Sequence, residues 1–234
     1  MSPTIGLFRA KRWRIPLGAL FLSAIARAEA ETIIFDRWKP SENMVTFESR
    51  APAELLIART RSIGGVLRMV DRVIAEASGE VVVDTGSFAS GVALRDDAMR
   101  APDWLNTQTY PFGRLIVNRL AADETVLGVS RAAEVVAHGT LEIRGIQQET
   151  TADVTLCYMP PHLLGDPDAR LFINGKLVID ITRFGMNIPR QYIARINPQI
   201  VISVHLLARG SRASSSGETL LRVARPPSGA TGPD

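Results

Sequence analysis

The sequence predicts an all-β chain, folded as an antiparallel sandwich or barrel. Three observations carry this reading. From Asn43 onward, apolar residues recur with period two more often than with period 3.6. The apolar runs are short and are separated by Gly- and Pro-containing turn signals. The stretch from Thr32 to Arg209 is long enough for eight strands with their loops.

Met44-Val45-Thr46-Phe47 opens the series. Glu54–Thr60 has the β-branched and aliphatic mix of a second strand, reached through a turn at Arg50-Ala51-Pro52. Ile63–Met69 and Glu80–Asp84 follow as further strands. Val92–Arg100 has helix formers and neither Gly nor Pro, so it predicts a short helix within an inter-strand connection. Leu115–Leu120 resumes the strands. In His138–Arg144, Leu141 and Ile143 share one face against Thr140, Glu142 and Arg144, and Gly145 punctuates the run. Ala152, Val154 and Leu156 stand opposite Asp153 and Thr155. Leu171, Ile173, Leu177 and Ile179 form another face, broken at Gly175. Ile181–Met186 reads as a single helical turn, and Ile200, Ile202, Val204 and Leu206 close the series.

The ends of the chain read differently. Arg9, Lys11, Arg12 and Arg14 precede the apolar segment Ile15–Ala26, and small residues follow at Ala28 and Ala30. A basic region, a short apolar region and small residues at −3 and −1 make a secretory signal over residues 1–30. Cleavage is expected after Ala30, with export most simply to a bacterial periplasm. Ile15–Ala26 contains Pro16 and is too short to span a bilayer. Gly210–Asp234 is rich in Ser, Gly and Pro and reads as a disordered tail, leaving 31–209 as the folded domain.

Composition excludes several function classes. One cysteine, Cys157, removes a disulfide framework and a Cys-based zinc site, and His138, His162 and His205 are scattered. Outside residues 1–30 the chain carries 22 basic and 23 acidic side chains, with no footprint for nucleic acid. No G-x-S-x-G elbow, phosphate-binding glycine loop or nucleotide fingerprint occurs. We therefore assign no catalytic residue, no metal ligand and no enzymatic activity from the sequence.

Within Val83–Pro111, the residues Asp84, Ser87, Gly91, Arg95, Asp96, Tyr110 and Pro111 match the block D-x-x-S…G…R-D…y-P. Gly139–Ile146 matches G-x-L-t-i-x-G-v, and Arg183-Phe184-Gly185-Met186 matches d-F-G-l. In these segments the chain resembles the YceI-like family. It departs from that pattern at Ser90, Ala98, Trp104-Leu105-Asn106, Leu115 and Val117, and it lacks the aromatic-rich segment after Ile63. The resemblance implies an eight-stranded antiparallel, lipocalin-like barrel. It also implies an apolar ligand, such as a polyprenol, an isoprenoid quinone or an acyl chain. Such a molecule is the only cofactor-like partner it brings, and homodimers are common in the family.

On that reading the ligand-facing candidates are Leu115, Val117, Leu141 and Ile143, then Val154, Leu156, Ile173, Leu177 and Ile179, and then Phe184, Ile202 and Val204. Period alone fits a cavity lining and a filled core equally. A filled barrel would make the chain a protein-interaction module instead. Trp104 is either a cap on one mouth or a loop anchor. Arg95, with Asp96 and Asp97, either meets a head group or holds a loop by ion pairing. Asp84 and Ser87 read as a turn-forming pair, and His138 and His205 fall on the polar faces of their strands.

Overall fold

A computed structural model of the protein describes residues 30–163 and 165–212. Residues 1–29 of the expected leader and 213–234 of the expected tail lie outside the described residues. The strands are β1 (Thr32–Trp38), β2 (Met44–Arg50), β3 (Leu55–Thr60), β4 (Ile63–Val70), β5 (Ser78–Asp84) and β6 (Phe112–Ala121). They continue with β7 (Ala132–Ile143), β8 (Ile146–Met159), β9 (Ala169–Asp180) and β10 (Gln199–Arg212), and one helix, α1, spans Ala93–Arg100 between β5 and β6. All ten strands pair antiparallel in the order β1-β4-β5-β6-β7-β8-β9-β10-β2-β3, with β1 also pairing β10. That extra pairing closes eight strands into a barrel, with β2 and β3 outside the ring as a hairpin on the first half of β10.

The alternation read from the sequence is the inside–outside alternation of this wall. Ala133, Val135, Ala137, Gly139 and Leu141 of β7 are buried, while the residues between them are exposed or half-buried. The β7–β8 turn, Arg144-Gly145, has φ of 54° and 71°, both left-handed, as a two-residue hairpin matched to strand twist requires. Glycine is suited to the second of these positions.

Two elements differ from the sequence expectation. β1 was not read as a strand, yet Ile33 and Phe35 are buried at its core and pair between β4 and β10. Its register breaks between Phe35 and Arg37, which interrupts the alternation before it becomes readable. The boundary after Arg209 is also corrected. Gly210, Ser211 and Arg212 extend β10 because Phe35, Ile34 and Ile33 pair with them. Their small and polar side chains resemble a tail in sequence, but the backbone partners come from the other end of the domain.

β10 changes partner midway along one edge: Ile200–His205 pairs with β2 and Ala208–Arg212 with β1. Asn43, 1% exposed, bridges the change. Its Oδ1 accepts from the Leu207 amide at 2.7 Å and its Nδ2 donates to the Lys39 carbonyl at 2.7 Å. Outside this seam, Arg209 pairs with Glu42 and with Asp166, which Arg170 also contacts. The Arg209 guanidinium, with other basic groups, holds Glu42 below the usual carboxylate range. Asp166 is lowered by the Asp168 amide and then by Arg170 and Arg209, while Arg209 is raised, chiefly by Glu42.

One end of the barrel is plugged. The β4–β5 and β6–β7 connections cross it side by side, with Leu127 N donating to Arg72 O at 2.8 Å and Ile74 N to Thr125 O at 3.0 Å. Their apolar side chains Ile74 and Leu127 are 1% and 0% exposed. The other end is open.

Candidate binding cavity

Inside the open half of the barrel lies a cavity of about 490 Å³, and deeper toward the plug lies a second of about 100 Å³. The wide chamber is walled by inward residues of strands on every side: Leu115 on β6, Leu141 and Ile143 on β7, Leu177 and Ile179 on β9, and Ile202 and Val204 on β10. The inner chamber is walled by Val117, Val154, Leu156 and Ile173, together with Leu115, Leu177 and Val204 again. The interior is therefore hollow, not filled by its own side chains. Phe184 lines neither chamber; it is 2% exposed and packs within the hydrophobic core at the end of the short turn Ile181–Phe184.

Residues on the early strands also form the wall without having been singled out in the sequence. Val45 and Phe47 of β2, Leu56 of β3 and Val81 and Val83 of β5 line the wide chamber. Phe88 packs edge-on to Phe47 with ring centroids 5.0 Å apart. Val45/Phe47 and Val81/Val83 carry the same period-two signal as the later strands. Tyr192, Ile196 and Met186 come from the β9–β10 loop and carry no periodic signal at all.

The mouth is built by α1, the β2–β3 turn and the β9–β10 loop. Glu54 ties all three, at 3.3 Å from the Arg95 guanidinium and 2.8 Å from Arg195 Nε. Ala53 N also donates to Ala194 O at 2.9 Å. Arg95 thus lines the cavity and at the same time anchors its helix. Asp96 lines nothing: its Oδ1 accepts from Ser90 N at 2.8 Å and from Ser90 Oγ at 2.6 Å. Trp104 lines the mouth and meets Tyr192 edge-on at 6.3 Å.

The Asp84–Ser87 segment is a turn, as its residue types suggest. Asp84 Oδ1 accepts from Gly86 N at 2.9 Å and Ser87 Oγ donates to Asp84 O at 2.6 Å. The Ser49 and Thr85 hydroxyls on the cavity wall are occupied by backbone. Ser49 Oγ accepts from Asn197 N at 2.9 Å, and Thr85 Oγ lies 3.0 Å from the Tyr110 and Pro111 carbonyls. His205 is exposed with Nδ1 2.7 Å from Asn174 Oδ1, and His138 is half-buried. Among the described residues, no group of three or more His, Cys, Asp or Glu could hold a metal ion, and no helix is long and apolar enough to cross a membrane. The arrangement can enclose an apolar chain and present guanidinium, carboxylate and aromatic groups at its entrance.

The model for the YceI-like domain matches residues 38–208. The chain belongs to the YceI-like family. Among solved structures, this YceI-like protein is similar to BcnA of Burkholderia cenocepacia, with 18% identity, a TM-score of 0.58, and coverage of 74% of this chain and 99% of that one. It is likewise similar to a polyisoprenoid binding domain from Saccharophagus degradans implicated in plant cell wall breakdown. That likeness has 14% identity, a TM-score of 0.58, and coverage of 76% of this chain and 98% of that one. A search of curated proteins finds no match. At these identities the solved structures establish the shared eight-stranded barrel.

Proposed function

We propose that this YceI-like protein is an exported, periplasmic carrier that sequesters one long apolar molecule, an isoprenoid or acyl chain, in its barrel, without catalysing a reaction on it. The observation that carries the reading is the two-chamber cavity, walled mostly by aliphatic and aromatic side chains and entered at one mouth. Removing a methylene from water stabilises by about 0.8 kcal/mol, so one five-carbon isoprene unit contributes about 4 kcal/mol before the costs of binding. The polyisoprenoid-binding description of the Saccharophagus domain supports the isoprenoid class. The basic and apolar leader in residues 1–30 supports export. The ligand is cargo, and Arg95, Arg195 and Trp104 meet its polar end.

The test is native mass spectrometry on protein exported from a bacterial host, followed by organic extraction. The wild type should carry a discrete added mass that extracts as a lipid. Ile202→Trp, which fills the wide chamber from β10, should lose that mass with an unchanged far-ultraviolet circular dichroism spectrum. A clean apo mass that persists after addition of polyprenol or quinone would overturn the carrier reading.

A further inference from the structure

Four residues belong to the walls of both chambers: Val81, Leu115, Leu177 and Val204. Val81 and Leu115 are paired neighbours on β5 and β6. Leu177 and Val204 stand on β9 and β10, the strands diametrically opposite in the ring of eight. Together they pinch the barrel into a waist.

On one side the waist carries a glycine. Val154, Gly175 and Val204 form a single row across β8, β9 and β10, since Gly175 pairs with Val154 on one side and with Val204 on the other. Gly175 lies between Ile173 and Leu177 on the inward face of β9 and lines the inner chamber. A Cβ there would sit 3.0 Å from Val204 Cγ2 and 3.3 Å from Val154 Cγ2. Both neighbours are β-branched and stiff at χ1, so they have little room to turn aside. Glycine in a strand interior weakens the strand and marks a site of close approach. Here the missing side chain lets the two valine methyls settle over the glycine, where any side chain would push them toward the passage, at the level where the chambers meet.

We propose that Gly175 sets the length of chain the protein accepts, by letting the tail of an apolar ligand pass the waist into the inner chamber. This rests on the carrier reading above and deepens it. Short chains fill the wide chamber alone. Longer ones pass the waist and end among Phe35, Met69, Leu156 and Leu171, beyond which the plugged end gives no exit.

The experiment measures binding of linear saturated fatty acids from octanoic to eicosanoic acid, by displacement of a fluorescent fatty acid from delipidated protein. It compares the wild type with Gly175→Ala, Gly175→Val and Val204→Ala. In the two Gly175 variants short acids should bind as in the wild type. Long acids should weaken by about tenfold for every two methylenes that no longer reach the inner chamber. Val204→Ala should leave long acids bound at least as tightly as in the wild type. Should Gly175→Val not fold, Gly175→Ala and Val204→Ala still give opposite expectations. An identical length profile in wild type and folded Gly175→Ala would overturn the gauge while leaving the carrier reading intact. A wild type that binds no member of the series would overturn both.

Discussion

The seam where β10 changes partner should depend on one side chain, Asn43. Replacing Asn43 with Ala removes the acceptor for the Leu207 amide and the donor to the Lys39 carbonyl, both at 2.7 Å. Leu207 lies between His205, which pairs with Met44, and Ala208, which pairs with Trp38, so neither neighbouring strand supplies a substitute. An orphaned buried donor costs about 1–3 kcal/mol, and the part-buried Lys39 carbonyl adds less than that. We expect a loss of about 2–3 kcal/mol in total, which at roughly 2–4 °C per kcal/mol for a domain of this size lowers Tm by about 5–10 °C. Asn43→Asp keeps an acceptor for Leu207 but cannot donate to Lys39, and should fall between Asn43→Ala and the wild type. Urea denaturation followed by circular dichroism gives the stability, and amide hydrogen exchange at Leu207 localises it. Asn187→Ala, in the exposed β9–β10 loop, is the control and should stay within about 0.5 kcal/mol of the wild type. If Asn43→Ala also stays within that range and the Leu207 amide remains protected, the seam is held by something other than this bridge.

Two further outcomes follow from the same geometry. Glu42 and Asp166 titrate below their ordinary values of 4.5 and 3.8 in the fold, so their ion pairs stabilise fully above those values. That contribution is lost as pH falls through the lowered folded values. Glu42→Gln should therefore flatten the decline of stability below about pH 4.5 relative to the wild type, read from denaturation midpoints across a pH series. At the plugged end, Leu127→Ala removes a fully buried side chain and should cost about 2–5 kcal/mol, measured by urea denaturation. A cost below about 1 kcal/mol would mean that the plug collapses freely around the gap.

The strands from β2 to β10 were legible from short apolar runs between turn signals, and on β7 and β9 alternation records a wet and a dry face almost residue by residue. The short helix was legible from an uninterrupted run of helix formers. β1 was not, because its break at Asp36 leaves too few alternating positions, and its burial depends on partners at Leu67–Val70 and Ala208–Arg212. The same distance in sequence hid the last three residues of β10.

Most of the cavity wall was legible on the later strands, while Val45, Phe47, Val81 and Val83 carried the same signal unremarked. Phe184 shows the limit of motif matching: a residue in a matching segment can be pure core. Local sequence dictates which face of a strand is apolar, because that follows from side-chain chemistry and a two-residue repeat. Whether eight such faces meet in a solid core or around a hollow depends on ring closure through β1 and on small residues such as Gly175 lying in register between valines. Those are distances between residues far apart in the chain, and only the folded barrel sets them.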